Sequence, residues 1–156
     1  MTVHFRNGTR QTLEAALEAA YPKEGAGLLL GHVRAGEHEI EAVLTLPNRF
    51  AAEEQHHRFL LSAEDMLAGE LEAEQRGLEV IGVFHSHPDH PAEPSTYDRE
   101  HAWPWFLYTI TTVAQGRAMM TRAWELREDR SSFVEHTLDG GRMNIHPSSV
   151  SNLPSD

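Results

Sequence analysis

A short apolar segment near the middle of the chain restricts the fold more than any other feature of the sequence. Residues 78–84 are apolar with one interruption, at Glu79. A segment of this kind is typical of a strand that is buried on both faces of a sheet. The chain passes from it directly into His85, so we expect a buried central strand with polar chemistry at its end.

The segments around this strand alternate between helical and extended patterns. Apolar residues at helical spacing predict a helix over residues 11–21 and a second one that begins after the N-cap residue Ser62 and ends before Gly77. A short helical segment is predicted over residues 98–102. Further strands are predicted over residues 27–33, 40–46, 106–113, 117–126 and 132–138. Because no linker or repeat divides the chain, residues 1–138 are expected to form one domain, followed by a loose tail over residues 139–156.

The charge balance limits the partners that the protein can bind. The 156 residues include 24 acidic and 13 basic side chains, which gives a formal net charge of -11. Nucleic acid and anionic membrane surfaces would repel such a protein, whereas a partner with a basic face would attract it. No apolar segment approaches the roughly 20 residues that span a bilayer, and the first 20 residues lack the pattern of a secretion signal. We therefore expect a cytoplasmic protein that binds no nucleic acid and no membrane.

Cysteine is absent and histidine is abundant, with eleven residues. The absence of cysteine excludes disulfides, thiolate metal sites and cysteine nucleophiles. It also excludes the zinc site of nucleobase deaminases, and the His-Glu-x-x-His helix of common zinc proteases does not occur. Any metal chemistry therefore has to use histidine and carboxylate ligands.

The segment that follows the central strand has the spacing of a metal site. Residues i and i+2 of an extended chain point to the same side, so His85 and His87 can present two imidazoles to one ion. Catalytic zinc takes three protein ligands and leaves a fourth position open. Asp98 can supply the third ligand, because the proline-rich loop before it can turn back over the strand end, and Ser95 can cap the helix that carries it.

Structural alternatives exist for each of these residues. In a chain with eleven histidines, a His-x-His pair also occurs by chance. Ser95 and Asp98 match a helix-capping pair, a structural role that is compatible with metal binding. Asp89 and His90 are further candidate ligands, although the prolines on both sides of this pair predict that they point outward into solvent.

Together these residues resemble the JAMM motif of MPN-domain metallopeptidases. The motif consists of a glutamate before an apolar strand that ends in glycine, then His-Ser-His-Pro, then Ser-x-x-Asp. It is matched by Glu24 before residues 27–31, by residues 85–88, and by Ser95 and Asp98. The resemblance extends to about Leu138. It implies a single α/β domain of the MPN (JAMM) fold, which is cytidine-deaminase-like, with a mixed, largely antiparallel curved sheet flanked by helices.

The resemblance also implies a role for each residue of the motif. His85, His87 and Asp98 would hold one Zn²⁺ per chain. Glu24, which without the motif is more typical of a solvated loop carboxylate, would be the general base. Ser95 would stabilise the oxyanion. The resemblance thus implies a zinc metallopeptidase of the JAMM isopeptidase type, similar to deubiquitinases, which cleaves an isopeptide or a peptide bond.

Members of the family commonly hydrolyse the bond after the C-terminal Gly-Gly of ubiquitin or a ubiquitin-like protein. The segment between Asp98 and residue 106 is too short for the second insertion of eukaryotic deubiquitinases, so the chain resembles the minimal prokaryotic type. The implied partner is a ubiquitin-like or sulfur-carrier protein with a Gly-Gly end. The product is either a released modifier or an amino acid, notably cysteine, cut from a sulfur-carrier end.

Two further alternatives concern assembly. Some MPN domains are non-catalytic scaffold subunits, but these have lost ligands that are intact in this chain. Dimers occur in the family, and the apolar residues 103–106 are either an interface for a homodimer or part of the core.

Overall fold

The computed structural model of the protein describes residues 1–55 and 58–139. Within them, strands and helices follow each other in a mixed α/β order that agrees with the predicted class. Their bounds are β1 (Thr2–Phe5), α1 (Thr9–Ala20), β2 (Ala26–Arg34), β3 (Glu37–Leu46), a 3-10 turn (Ala52–Glu54), α2 (Ala63–Gln75), β4 (Glu79–Pro88), α3 (Thr96–His101), β5 (Leu107–Ala114), β6 (Arg117–Leu126) and β7 (Phe133–Leu138).

The strands form one curved sheet in the order β1-β3-β2-β4-β5-β6-β7. The strand β4 lies at its centre, antiparallel to β2 and parallel to β5. The pairings β2–β3, β5–β6 and β6–β7 are also antiparallel, whereas β1 pairs in parallel with both β3 and β7. The mixed, largely antiparallel sheet is therefore confirmed, and β1 closes it into a barrel.

Strand β1 was not predicted from the sequence. It has only four residues, and its polar and apolar side chains carry too little periodicity to distinguish a strand from a loop. Its partners at the seam are 35 and about 135 positions away in the chain, for example His38 and Leu138 beside Val3. The backbone N–H of Asp139 extends this seam by donating to the carbonyl oxygen of Val3 at 2.8 Å. The rest of the predicted tail lies outside the described residues.

The sheet is covered on both faces, as the apolar central strand predicts. Helix α1 packs on one face, where Leu17 joins a buried cluster with Leu29 and Phe84. Helix α2 packs on the other face, where Ala73 joins a second cluster with Val83. Burial of the apolar strand pair β2 and β4 between the two helices stabilises the centre of the fold.

The end of the central strand differs from the prediction. We expected the apolar strand over residues 78–84, with His85 and His87 extended at its end, but the paired strand β4 continues to Pro88. The reason is its parallel neighbour β5, whose pairing with β4 extends as far as Val113 opposite Pro88. His85 and His87 consequently lie inside a strand, in positions more rigid than a loop would provide.

The helix ends differ from the predicted ones by one or two residues. Helix α1 begins at Thr9 after Gly8, whose φ of 71° is left-handed, and α3 begins at Thr96. The N-cap Ser62 and the turn residue Gly77 agree with the sequence analysis, because Ser62 accepts a hydrogen bond from the N–H of Asp65 and Gly77 has a φ of 71°. In the described part of the chain, no helix combines the length and apolar character that crossing a membrane requires.

Candidate metal centre

Three candidate ligands converge at the end of β4. One donor atom from each of His85, His87 and Asp98 lies within 4.8 Å of the other two. The imidazole Nε2 of His87 is 3.1 Å from one carboxylate oxygen of Asp98, and that of His85 is 3.7 Å from the other. The three side chains are 1, 5 and 9% exposed, respectively. Two imidazoles and a carboxylate at this separation match the donor set of a catalytic zinc site.

Asp98 is positioned by the helix that it helps to begin. The backbone N–H of Asp98 donates to Ser95 Oγ at 3.1 Å, and the backbone N–H of Ser95 donates to Asp98 Oδ2 at 2.9 Å. These two bonds form a capping box, so the structural alternative for this pair is present. The same carboxylate also faces both histidines, so the capping and metal-binding geometries coexist. The hydroxyl hydrogen of Ser95 remains available to a further acceptor, because its oxygen is the acceptor in the cap.

Glu24 reaches the centre from the loop before β2. Strand pairing sets Ala26 opposite His85, which brings the preceding residues beside the candidate ligands. The side chain of Glu24 is 6% exposed, and its Oε1 lies 3.8 Å from Nδ1 of His85. The structure therefore brings together all five residues of the predicted site, with the carboxylate of Glu24 next to the ligand cluster.

The two histidine rings are oriented by different contacts. Nδ1 of His87 lies 2.9 Å from the carbonyl oxygen of Pro91, so this nitrogen donates, and Nε2, which faces Asp98, is the ring nitrogen that would coordinate an ion after losing its proton. Nδ1 of His85 is buried and has no hydrogen-bond partner among the described residues. The ring of His85 instead stacks on Phe59, with centroids 4.4 Å apart and planes 28° apart.

The electrostatics of the centre favour a cation. Burial lowers the pKa of His85 to about 4, which keeps this ring neutral and able to coordinate. Burial also opposes protonation of His87, but its hydrogen bond to Asp98 and the charges of Asp98 and Glu24 outweigh it and raise its pKa to about 9. Burial acts to raise the pKa of Asp98, but the two histidines outweigh burial and hold this pKa well below the usual range. The two carboxylates thus create a negative potential that a divalent cation would neutralise.

A cavity of about 200 Å³ opens beside the centre. His85, Tyr97 and Asp98 line it, together with mostly apolar residues of the loop before α2, of α2, β4 and β5, and of the segment at the end of α3. The cavity gives a substrate chain room next to the ligands while the ligands themselves stay nearly inaccessible.

The alternative ligands do not belong to the cluster. Asp89 accepts hydrogen bonds from the Tyr21 hydroxyl at 2.6 Å and from the backbone N–H of Gln115 at 2.9 Å. Its carboxylate therefore links the loop after β4 to the end of α1 and to the turn after β5. His90 is also outside the three-ligand group. The sequence analysis missed Phe59 and Asn48, which support the centre from the loop before α2. The only local signal was the Pro47-Asn48 turn pair, which does not indicate a role.

Comparison with known protein families and relatives agrees with this arrangement. The family described as prokaryotic homologs of the JAB domain matches residues 7–127. A protein of Thermus thermophilus named as a probable TtuB-protein conjugate cleaving protease is 32% identical over 104 residues, which cover 66% of this chain and 66% of that protein. A desampylase of Pyrococcus furiosus is 39% identical over 70 residues, which cover 45% of this chain and 48% of that protein. The matches thus span just under two thirds and about half of these relatives.

The fold has a counterpart among solved structures. A JAB1/MPN domain protein from Archaeoglobus fulgidus superimposes with a TM-score of 0.53 and 19% sequence identity, over 88% of this chain and 98% of that one. At this identity the similarity shows the fold alone.

Proposed function

The chain belongs to the family of prokaryotic homologs of the JAB domain, and from that premise we propose that it is a zinc-dependent peptidase of ubiquitin-like proteins. Its substrate would be a ubiquitin-like or sulfur-carrier protein, and the bond hydrolysed would be the one after the C-terminal Gly-Gly. The observation that carries the proposal is the convergence of His85, His87 and Asp98 within 4.8 Å, with the carboxylate of Glu24 beside them.

Zinc fits the residues present. The donor set is two imidazoles and one carboxylate, and because Nδ1 of His87 donates to Pro91, Nε2, which faces Asp98, is the nitrogen that would coordinate the ion in place of its proton. His85, His87 and Asp98 would hold the ion. When bound, zinc supplies Lewis-acid polarisation of the substrate carbonyl and acidifies the attacking water.

The remaining chemistry belongs to two side chains of this protein. Glu24 accepts the proton of the attacking water and returns it to the leaving amine, so the products are a carboxylate and a protonated amine. Ser95 donates its hydroxyl hydrogen to the oxyanion that develops on the carbonyl oxygen. The capping bond from Asp98 orients this hydroxyl, because it fixes the position of Ser95 Oγ.

The burial of the site supports the substrate class. Glu24, His85, His87 and Asp98 are all less than 10% exposed, so only a slender chain can bring its carbonyl to them. Two glycines satisfy this requirement because they have no side chains. The relatives from Thermus and Pyrococcus are named for cleavage of protein conjugates and for desampylation, which supports the same choice. The net charge of -11 suits a partner with a basic face.

The first experiment is metal analysis of the purified protein, together with cleavage of a fusion whose ubiquitin-like part ends in Gly-Gly. One zinc per chain and cleavage that a chelator abolishes are expected. If free cysteine, and no protein, is released from the end of a sulfur carrier, the enzyme is an aminoacyl-releasing peptidase. If the protein binds no metal but forms a stable complex with other proteins, it is a scaffold subunit. A homodimer and a cytoplasmic location stay predictions.

A further inference from the structure

We propose that Phe59, held in place by Asn48, is a positioning residue that fixes the plane of the His85 ring for metal binding. The inference rests on the proposed zinc site and names residues that the family motif does not contain. It starts from the difference between the two histidines of the centre.

His85 lacks the hydrogen bond that normally orients a metal-binding histidine. Such a ligand almost always donates its second ring N–H to a carboxylate, a carbonyl oxygen or water. His87 follows this rule through Pro91. In His85 the corresponding Nδ1 is buried and makes no hydrogen bond within 3.5 Å to the described residues. The nearest carboxylate oxygen, of Glu24, is 3.8 Å away, and the backbone of Ser86 adds only a minor interaction with the ring. Another contact must therefore restrict the ring.

Phe59 is that contact. Its ring lies nearly parallel to the ring of His85, with centroids 4.4 Å apart, and it packs against the core cluster beneath α2. Rotation about the Cβ–Cγ bond of His85 would drive the edge of the imidazole into the face of Phe59. The stacked face therefore keeps the imidazole in the plane in which Nε2 points toward Asp98.

Asn48 determines where Phe59 lies. Its amide nitrogen donates to the carbonyl oxygen of Arg58 at 2.9 Å, and its amide oxygen accepts from the N–H of Leu60 at 3.0 Å. The backbone on both sides of Phe59 is thus held by one side chain. The same amide nitrogen donates to the carbonyl oxygen of Glu24 at 3.0 Å. One residue therefore links the loop that carries Phe59 to the loop that carries the proposed base.

The test measures zinc affinity of the full chain by competition with a chelator, and the absorption spectrum of the Co²⁺-substituted protein. Phe59→Leu keeps an apolar side chain but removes the flat face, and we expect it to weaken zinc binding by about tenfold or more and to change the Co²⁺ spectrum. Phe59→Tyr retains a stacked aromatic ring, so its zinc affinity and its Co²⁺ spectrum should stay close to those of the wild type. Trp105→Leu is the matched control, because it removes an aromatic ring that is 71% exposed and outside the cavity.

A double-mutant cycle tests the part of Asn48. If Asn48 acts on the metal through Phe59, Asn48→Ala weakens zinc binding, and the double variant with Phe59→Leu is no weaker than Phe59→Leu alone. Additive losses would overturn this link. Equal zinc affinity and an identical Co²⁺ spectrum in Phe59→Leu and the wild type would overturn the role of Phe59. A wild-type protein that binds no zinc would overturn the proposed function first, and this inference with it.

Discussion

Ser86 and Gly25, 61 positions apart in the chain, are joined by two hydrogen bonds. The backbone N–H of Ser86 donates to the carbonyl oxygen of Gly25 at 3.1 Å, and the N–H of Gly25 donates to Ser86 Oγ at 2.9 Å. Ser86 lies between the two candidate histidine ligands, and Gly25 follows Glu24. This pair therefore ties the proposed base to the proposed ligands through the backbone.

We predict that Ser86→Ala loosens the Glu24 loop without removing the metal. The hydroxyl is buried, so its loss leaves the N–H of Gly25 without this partner and should lower the free energy of unfolding by about 1–3 kcal/mol. Turnover should fall while zinc content stays at one per chain. Urea unfolding, metal analysis and the cleavage assay measure the three quantities. The control is Ser131→Ala, at an exposed serine; an equally small effect in both variants would show that the Ser86–Gly25 link is dispensable.

Glu24→Gln and Asp98→Ala are expected to differ in their effect on zinc binding. Glu24→Gln keeps every ligand but removes the proton acceptor, so zinc stays bound while hydrolysis is lost. Asp98→Ala removes a ligand and should lower zinc content. Metal analysis and single-turnover cleavage of both variants distinguish the roles. Retained turnover in Glu24→Gln would contradict its role as the base, and full zinc occupancy in Asp98→Ala would mean that another side chain is the third ligand.

Ser95→Ala should affect catalysis far more than folding. The substitution removes an N-cap, which costs about 1 kcal/mol of stability, and also the proposed oxyanion donor, whose loss reduces turnover by about two to three orders of magnitude. Ser62 is also an N-cap, of α2, and its Oγ accepts from the N–H of Asp65 at 3.0 Å. Ser62→Ala therefore provides the matched loss of a cap. Similar losses of turnover in the two variants would assign Ser95 to capping alone.

We predict that His38 makes the fold sensitive to acid. Burial lowers its pKa below the usual 6.5, and the charges of His136, whose ring centroid is 5.5 Å away, and of the N-terminus lower it further. The charges of Glu125 and Glu37 raise this pKa but do not outweigh the lowering. As the pH falls through 6.5, the His38 imidazole therefore becomes protonated in the unfolded chain while it stays neutral in the folded protein. The stability from the neutral buried ring is present above pH 6.5 and is lost as the pH falls below it.

We expect His38→Leu to reduce this loss. The free energy of unfolding of the wild type, measured by urea titration between pH 7.5 and 5.5, should fall relative to that of the variant as the pH decreases. His32→Leu, at a partly exposed histidine of β2, is the control, because it shows how the loss of a histidine outside the core changes the pH dependence of the free energy of unfolding. A difference between wild type and His38→Leu that does not change with pH would exclude His38 as the source of acid sensitivity.

Local sequence predicted every element except β1 and the 3-10 turn, and also the three candidate ligands. The apolar residues 78–84 predicted the central strand because its two buried faces leave no place for polar residues. The spacing of His85 and His87 follows from the two-residue repeat of a strand, and Ser95 with Asp98 follows from the first turn of a helix. In each case the atoms concerned lie within a few residues of each other in the chain.

The tertiary structure decided everything that depends on contacts between distant segments. Strand register brings Glu24 to His85, and parallel pairing with β5 extends β4 to Pro88. Closure of the sheet depends on β1, whose four residues become a strand only because β3 and β7 offer partners on both sides. The stacking of Phe59 on His85 requires a loop that Asn48 folds. A helix cap or the periodicity of a strand is encoded within one short segment. Strand pairing and core packing join residues that are far apart in the chain, so no single segment encodes them.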